Sequence, residues 1–338
     1  MKKITTLLTA IIGMALMNQV SATHVTVEVP TAGQLSSLVQ DVNCDSITIS
    51  GNLDGNDFWF IREQMPNLVY LNTSKVTVPG NRLPESGLYS KKTLQKIILP
   101  DNLETIGNHA FAYCSNLKNV TFPKSLVTIE YNVFYQSGLS EVALPENLKE
   151  IEDGVFYECY SLKKVTFPKT LVTIGNNAFR QCSLSEIALS DSLKTIGNNA
   201  FRYCQQLQKV TFPEKLEAIG TYAFSDCFRL HTTTLKGKTA PAISDNTFNY
   251  TKVFYVPEGA AQTYKEASNW SNLVIIDGNT PKKITVTLTT AGTLGEEILK
   301  QVDYVKQVNE LVINGPLNSD DFYQIQQQLS LIHISEPT

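Results

Sequence analysis

The stretches IGNNAFRQC, ending at Cys182, and IGNNAFRYC, ending at Cys204, set two cysteines 22 residues apart in nearly identical surroundings. Cys114, Cys159 and Cys227 also stand three residues after a phenylalanine, and Ser137 fills that slot in one further copy. Cysteines at a fixed spacing can ligate a metal, pair as disulfides, or pack as small apolar groups. Tetrahedral zinc needs thiolates converging from different directions, commonly as C-x2-C pairs, and the sequence contains no C-x-x-C. Equivalent side chains of stacked repeats all point one way, and a slot that also accepts serine asks for size. The five cysteines are therefore read as a structural column of buried thiols. Stacked disulfides stay open as the alternative, because equivalent α-carbons of neighbouring coils lie near bridging distance and an exported protein can be oxidised. Cys44 lies outside the column and is not assigned.

Other reactive constellations are sparse. Asn52, Asp54, Asn56 and Glu63 fall at positions 1, 3, 5 and 12 of a calcium loop, but Asp57 occupies position 6, where the sharp turn needs glycine. A second copy of this segment has Pro316 and Gln327 in place of Asn52 and Glu63, while Asp321 and Phe322 repeat Asp57 and Phe58. What the copies share is a helix start with an acid in its first turn. His24, His109 and His231 are scattered, and no H-E-x-x-H, G-x-S-x-G, P-loop or dinucleotide fingerprint occurs. His109 stands in an otherwise asparagine-like slot, filled by Asn132, Asn177 and Asn199 in three other units, which points to a surface turn. LPESG at residues 83–87 has the outline of a sortase signal but lacks its threonine. Paired carboxylates for glycoside hydrolysis are a three-dimensional matter that sequence leaves open. The expectation is no catalytic residue, no metal site and no cofactor.

A repeat positions these residues. Leu94, Leu117, Leu139, Leu162, Leu184, Leu207 and Leu230 open units of 22 or 23 residues with the pattern L-x-x-[VI]-x-[LF]-P-x-x-L-x-x-I-G-x-x-A-F-x-x-C. LSEVALPENL and LSEIALSDSL, from Leu139 and Leu184, alternate with LKKVTFPKTL and LQKVTFPEKL, from Leu162 and Leu207, as copying of a pair of units would produce. Val165 and Phe167 alternate with Lys164 and Thr166, the period of a half-buried strand that Pro168 ends. Ala178 and Cys182 are four apart, so a single helical turn is expected to carry both inward beside Phe179. One coil cannot bury its leucines alone. Neighbours must stack, strand beside strand at ~4.8 Å, as a solenoid. Glu130 and Glu152 replace the glycine of other units, so that turn is expected not to need a left-handed backbone.

The motif LxxVTFPxxLxxIGxxAFxxC, as it stands at residues 162–182, resembles the BspA-like class of leucine-rich repeats of exported bacterial surface proteins, closely so over residues 94 to about 230. The expected fold is an α/β repeat solenoid: a leucine-rich-repeat array of short parallel strands and helical turns, with an α/β N-terminal cap and a C-terminal strand–helix cap. The cap is placed at 23–93, the repeats at 94–251, the second cap at 252–276 and a linker at 277–283. ITVTLTTAGTL from Ile284 and INGPLNSDDFYQI from Ile313 copy the first cap's VTVEVPTAGQL and ISGNLDGNDFWFI, so 284–328 reads as the start of a second, truncated module. LSLIHISEPT at 329–338 matches the translation of a transposase-type adapter and reads as non-native. The resemblance implies a non-catalytic role in surface display and adhesion.

Lys2 and Lys3, the apolar run from Leu7 to Met17 and small residues at 20–22 read as a signal peptide over 1–22, too short for a membrane span. Its removal takes 28 basic residues to 26 against 32 acidic, a net charge of −6. With no basic cluster, nucleic acid is excluded as a partner. The outward strand positions include Lys96, Lys118, Glu141, Lys163, Lys164, Glu186 and Lys209, with opposite charges on neighbouring strands. This is either a solvated charge ladder that contributes little or a docking face. It carries no aromatic ring, which favours a host or bacterial surface protein over a glycan. Tyr113, Tyr135, Tyr157 and Tyr203, beside the turn, keep glycan binding open elsewhere, and a spacer in a tandem array is the remaining alternative.

Overall fold

The computed structural model describes residues 23–251, 253–278, 282–299, 308–321 and 333–335. The expected signal peptide lies outside them, as do parts of the 277–283 linker, the second module and the 329–338 tail. Each coil contributes to three hydrogen-bonded columns. The first holds the parallel strands Lys96–Ile98, Asn119–Thr121, Glu141–Ala143, Lys164–Thr166, Glu186–Ala188 and Lys209–Phe212. The second holds two-residue strands, from Thr105–Ile106 and Thr128–Ile129 through Glu150–Ile151, Thr173–Ile174 and Thr195–Ile196 to Ala218–Ile219.

The third column corrects the expected helical turns. Residues 174–182 form consecutive β-turns, because Asn177 and Gln181 take left-handed backbone at φ 54° and 63°, which no helix accommodates. The amides of Arg180 and Cys182 donate within the coil, to Asn177 O at 3.1 Å and Phe179 O at 3.2 Å, while those of Asn177, Phe179 and Gln181 donate to Asn198, Ala200 and Arg202 of the next coil. A helix would use every amide internally. This ribbon gives alternate amides to its neighbour, as stacking requires. Asparagine suits the slot because its short polar side chain tolerates left-handed backbone, and His109 occupies it at φ 56°. Ala178, Phe179 and Cys182 are nonetheless all buried.

The repeat glycine has a different cause. Gly175, Gly197 and Gly220 need no positive φ, but an added Cβ would lie 2.5–2.8 Å from backbone atoms of the preceding coil. They permit close approach. Only at the boundary between Glu130 and Glu152 does neither facing residue have glycine, and there Thr128–Ile129 and Glu150–Ile151 fall into separate sheets. The missing glycine leaves the solenoid intact but costs it a ladder. Glu130 instead takes an ion pair from Arg82, two coils away.

The strand column is also interrupted. Asn119–Thr121 closes one sheet, Glu141–Ala143 pairs only with Lys164–Thr166, and Glu186–Ala188 begins another sheet. Each break falls at the end of a 22-residue unit, those that open at Leu117 and Leu162. From Phe134 to Leu139 and from Phe179 to Leu184 the chain takes five steps, against six from Phe111 to Leu117 and from Phe156 to Leu162. The shortened connection withholds the residue that would bring the strand into register.

The core is one continuous stack. Phe111, Phe134, Phe156, Phe179, Phe201, Phe224 and Phe248 follow one another at centroid distances of 5.2–5.5 Å with rings within 13° of parallel. At the N-terminal side, His24–Val29, Ser46–Asn52 and Tyr70–Thr77 extend the repeat sheet, and the helix Gly55–Gln64 packs beside them. Coil geometry reaches back into this region: Ser86 and Ser90 take the two left-handed positions, and their amides donate to Asn108 and Ala112. At the other end, the strands Val253–Val256 and Val274–Asp277 flank the short helix Ala261–Glu266. Tyr264 and Trp270 are fully buried there. The Tyr264 hydroxyl donates to Gly237 O at 2.9 Å and the Trp270 indole to Pro241 O at 2.8 Å. In the second module Lys282–Thr287 pairs with Val308–Asn314, and the latter with His333–Ser335, repeating the first cap's order.

Candidate functional site

The outward side of the strand column carries the charged residues singled out in the sequence. Lys96, Lys118, Glu141, Lys163, Lys164, Glu186 and Lys209 are all exposed. Register places Lys164 beside Glu141 and Lys209 beside Glu186. None of the seven belongs to an ion pair among the described residues; the six pairs found lie elsewhere. The charges are therefore not consumed as a ladder within the chain. One expectation needs correction: the face does carry an aromatic ring, because the sheet continues into the cap and Tyr70 pairs in register with Lys96, whose Nζ lies 5.5 Å from the ring centroid.

Each interruption of the strand column opens a groove on this face. The first, of 800 Å3, has a floor of Val120, Phe122, Val142 and Leu144 between Lys124, Glu141 and Lys164. The second, of 570 Å3, has Val165, Phe167, Ile187 and Leu189 as its floor, with Lys164, Glu186 and Lys209 at its rim. Strand edges there leave backbone donors and acceptors without a ladder partner. The arrangement combines what a peptide or protein surface needs: apolar patches, open backbone edges and charges of both signs.

The cysteine column lies on the opposite side of the coil, fully interior. Cys114, Cys159, Cys182, Cys204 and Cys227 are buried and free, as is Cys44. Their thiols donate to the backbone carbonyl of the preceding coil's wedge position: Cys159 to Phe134 O at 3.0 Å, and Cys182 and Cys204 to Phe156 O and Phe179 O at 3.2 Å. The slot thus asks for a donor as well as a small volume. Thr251, three residues after Phe248, is a buried donor in this slot too, but its hydroxyl reaches a different acceptor, Leu230 O at 2.8 Å. Lys91, three residues after Leu88 in the first coil, also occupies it, and its buried ammonium donates to Arg62 O and Met65 O at the end of helix Gly55–Gln64. A leucine in place of phenylalanine hid this member from pattern reading. Burial pushes the Cys114, Cys159 and Cys204 thiols up to about 12. They stay protonated and unreactive below that pH while folded. Native protein at pH 8 is expected to react negligibly with a thiol reagent, and unfolded, unreduced protein to release six thiols per chain; fewer than six would reveal disulfides.

The calcium reading dissolves into backbone chemistry. Asp57 is buried and accepts the amides of Gly33, Leu35 and Asp54 at 2.7, 2.9 and 3.0 Å. Asp54 caps the helix by accepting from Asn56 and Asp57. Asn52 is turned to Pro30 O and Glu63 to Arg62. Among the described residues no group of three or more His, Cys, Asp or Glu side chains converges, and no helix is long and apolar enough to cross a membrane.

A model for the BspA type leucine rich repeat region matches in six copies, over residues 82–192, 128–254 and 172–285. The chain belongs to the BspA-type leucine-rich-repeat family. Among solved structures, a leucine-rich repeat protein from Bacteroides ovatus is 18% identical, with a TM-score of 0.52 over 95% of this chain and 94% of that one. A leucine rich cell surface protein from Faecalibacterium prausnitzii is 19% identical, with a TM-score of 0.41 over 69% of this chain and 83% of that one. No curated protein matches the sequence. At these identities the first likeness speaks for the fold, a parallel-strand BspA-type solenoid, and the second carries no further weight.

Proposed function

We propose that this BspA-type chain is an exported, non-catalytic module displayed at the cell surface, and that it docks a protein partner on its strand face. The observation that carries the reading is the unpaired set of Lys164, Glu186 and Lys209 around a groove whose floor is apolar and whose strand edges lack ladder partners. Unpaired charges of both signs steer and orient a complementary surface, and the stacked coils fix the backbone positions from which they project, which limits the ordering cost to the side chains themselves. Scattered histidines and the self-contained bonding of Asp57 support a non-catalytic role.

The test is a panel of purified extracellular-matrix and bacterial surface proteins, measured by surface-based kinetics against wild-type protein and a Lys164→Glu/Lys209→Glu variant. Binding by wild type should weaken about tenfold or more in the variant and decline with salt. Association that survives the double reversal unchanged would remove the strand face as the docking surface.

A further inference from the structure

The 22-residue unit that opens at Leu162 and ends at Ser183 has a second consequence, on the turn side of the coil. Where its neighbours place Tyr160 and Ser161, or Gln205 and Gln206, between the column cysteine and the next leucine, this unit has Ser183 alone. The missing residue leaves a notch of 260 Å3 lined by Tyr160, Gln181, Ser183, Tyr203, Gln205 and Gln206, with the nearly buried Cys182 at its base. We infer that this notch binds a single neutral pyranose ring, such as the terminal residue of a glycan.

Tyr160 is 55% exposed, and among the described residues no ring or cation covers its face. That separates it from the other tyrosines of this edge. Tyr113, Tyr135 and Tyr157 pack ring to ring at 5.0 and 5.2 Å, while Arg202 and Arg180 lie over Tyr203 at 4.7 and 5.7 Å. Tyr160 offers a free π face, which attracts the partly positive C–H face of a sugar ring. Tyr203 offers its hydroxyl, oriented by Arg202 at 3.2 Å. Three primary amides and the Ser183 hydroxyl supply the other polar groups of the lining, and an amide can donate to one sugar hydroxyl while accepting from another. No formally charged side chain lines the notch, so it has no counter-ion for a sialic or uronic acid. Its volume lies just under the ~300 Å3 lower end of small-molecule pockets, room for one ring with its linkage directed outward.

The floor is fixed. Ser183 Oγ donates to Tyr160 O at 2.6 Å, tying the floor to the wall, and the amide of Gln181 is held by Arg202 O at 2.8 Å. Little ordering is needed on binding. The assignment is independent of docking at the strand face, which lies on another column of the coil.

The experiment is saturation-transfer difference NMR on the mature protein with methyl β-glucopyranoside, methyl β-galactopyranoside, methyl α-mannopyranoside and N-acetylglucosamine at millimolar concentration, with N-acetylneuraminic acid as the charged control. At least one neutral pyranoside should receive saturation. Tyr160→Ala and Gln205→Ala/Gln206→Ala, all at exposed positions, should each weaken it at least about tenfold. Tyr131→Ala, which removes an exposed ring elsewhere, and Lys164→Glu/Lys209→Glu should leave it unchanged. The inference is overturned if no neutral probe binds, if the acid binds best, if binding survives Tyr160→Ala, or if either control variant abolishes it.

Discussion

Replacing Phe156 with alanine is expected to lower the unfolding free energy by about 3–5 kcal/mol. The ring is fully buried and sandwiched between Phe134 at 5.4 Å and Phe179 at 5.2 Å. Its removal opens a void that neither neighbour can fill, because each is held by its own coil and by the next ring in the column. In a stacked array the loss acts on two coil interfaces at once. Phe156→Leu keeps most of the volume and should cost about 1.5 kcal/mol or less. Urea titrations followed by circular dichroism measure both. A change below 1 kcal/mol for the alanine variant would show that the phenylalanine stack is not what holds the coils together.

Asp57→Ala should be comparably damaging for an electrostatic reason. Its carboxylate accepts three backbone amides, from Gly33, Leu35 and Asp54, and so joins the first loop to the helix start at one buried point. Alanine leaves those donors orphaned at about 1–3 kcal/mol each, partly relieved where water enters, for an expected net loss of about 3 kcal/mol or more. Asp57→Asn keeps the shape but points an amide donor at backbone donors, and should recover only part of the loss. The same urea titration decides. The second module repeats the arrangement: Asp321 accepts Gly292, Leu294 and Asn318 at 2.6, 3.0 and 3.0 Å. Equal stability of wild type and Asp57→Ala would mean that this shared acid is dispensable.

The stacked solenoid was legible because its causes are periodic. Leucine, phenylalanine and proline at fixed spacing state which side chains face inward and where a strand must stop, and the comparison of Asp57 with Asp321 separated a helix start from a calcium loop. The helical turn was misread because Ala178 and Cys182, four apart, face inward both in a helix and in tandem β-turns. The distinguishing sign was Asn177, a residue suited to left-handed backbone. Lys91 escaped notice because Leu88 replaced the phenylalanine that marks its slot. The grooves and the notch follow from two connections that are each one residue short. Their lengths were countable in the sequence, but what a missing residue does to a ladder is a matter of register between coils, which spacing alone does not convey.

The Glu130–Glu152 boundary has a mechanical meaning. Neither the three-residue strands nor the two-residue strands are bonded across it, so its backbone connection rests on the turn ribbon, where the amides of Asn132, Phe134 and Gln136 reach Asp153, Val155 and Tyr157. Splaying the two halves of the array about that ribbon severs no strand ladder, whereas every other coil junction from residue 94 to 219 must break at least one. A tensile or bending load is thus relieved there first, like a book opening along its spine, and the 800 Å3 groove widens as it does. Of the coil junctions between residues 94 and 219, this one alone has no strand ladder across it, and the Phe134–Phe156 ring contact is left to carry the load beside the ribbon.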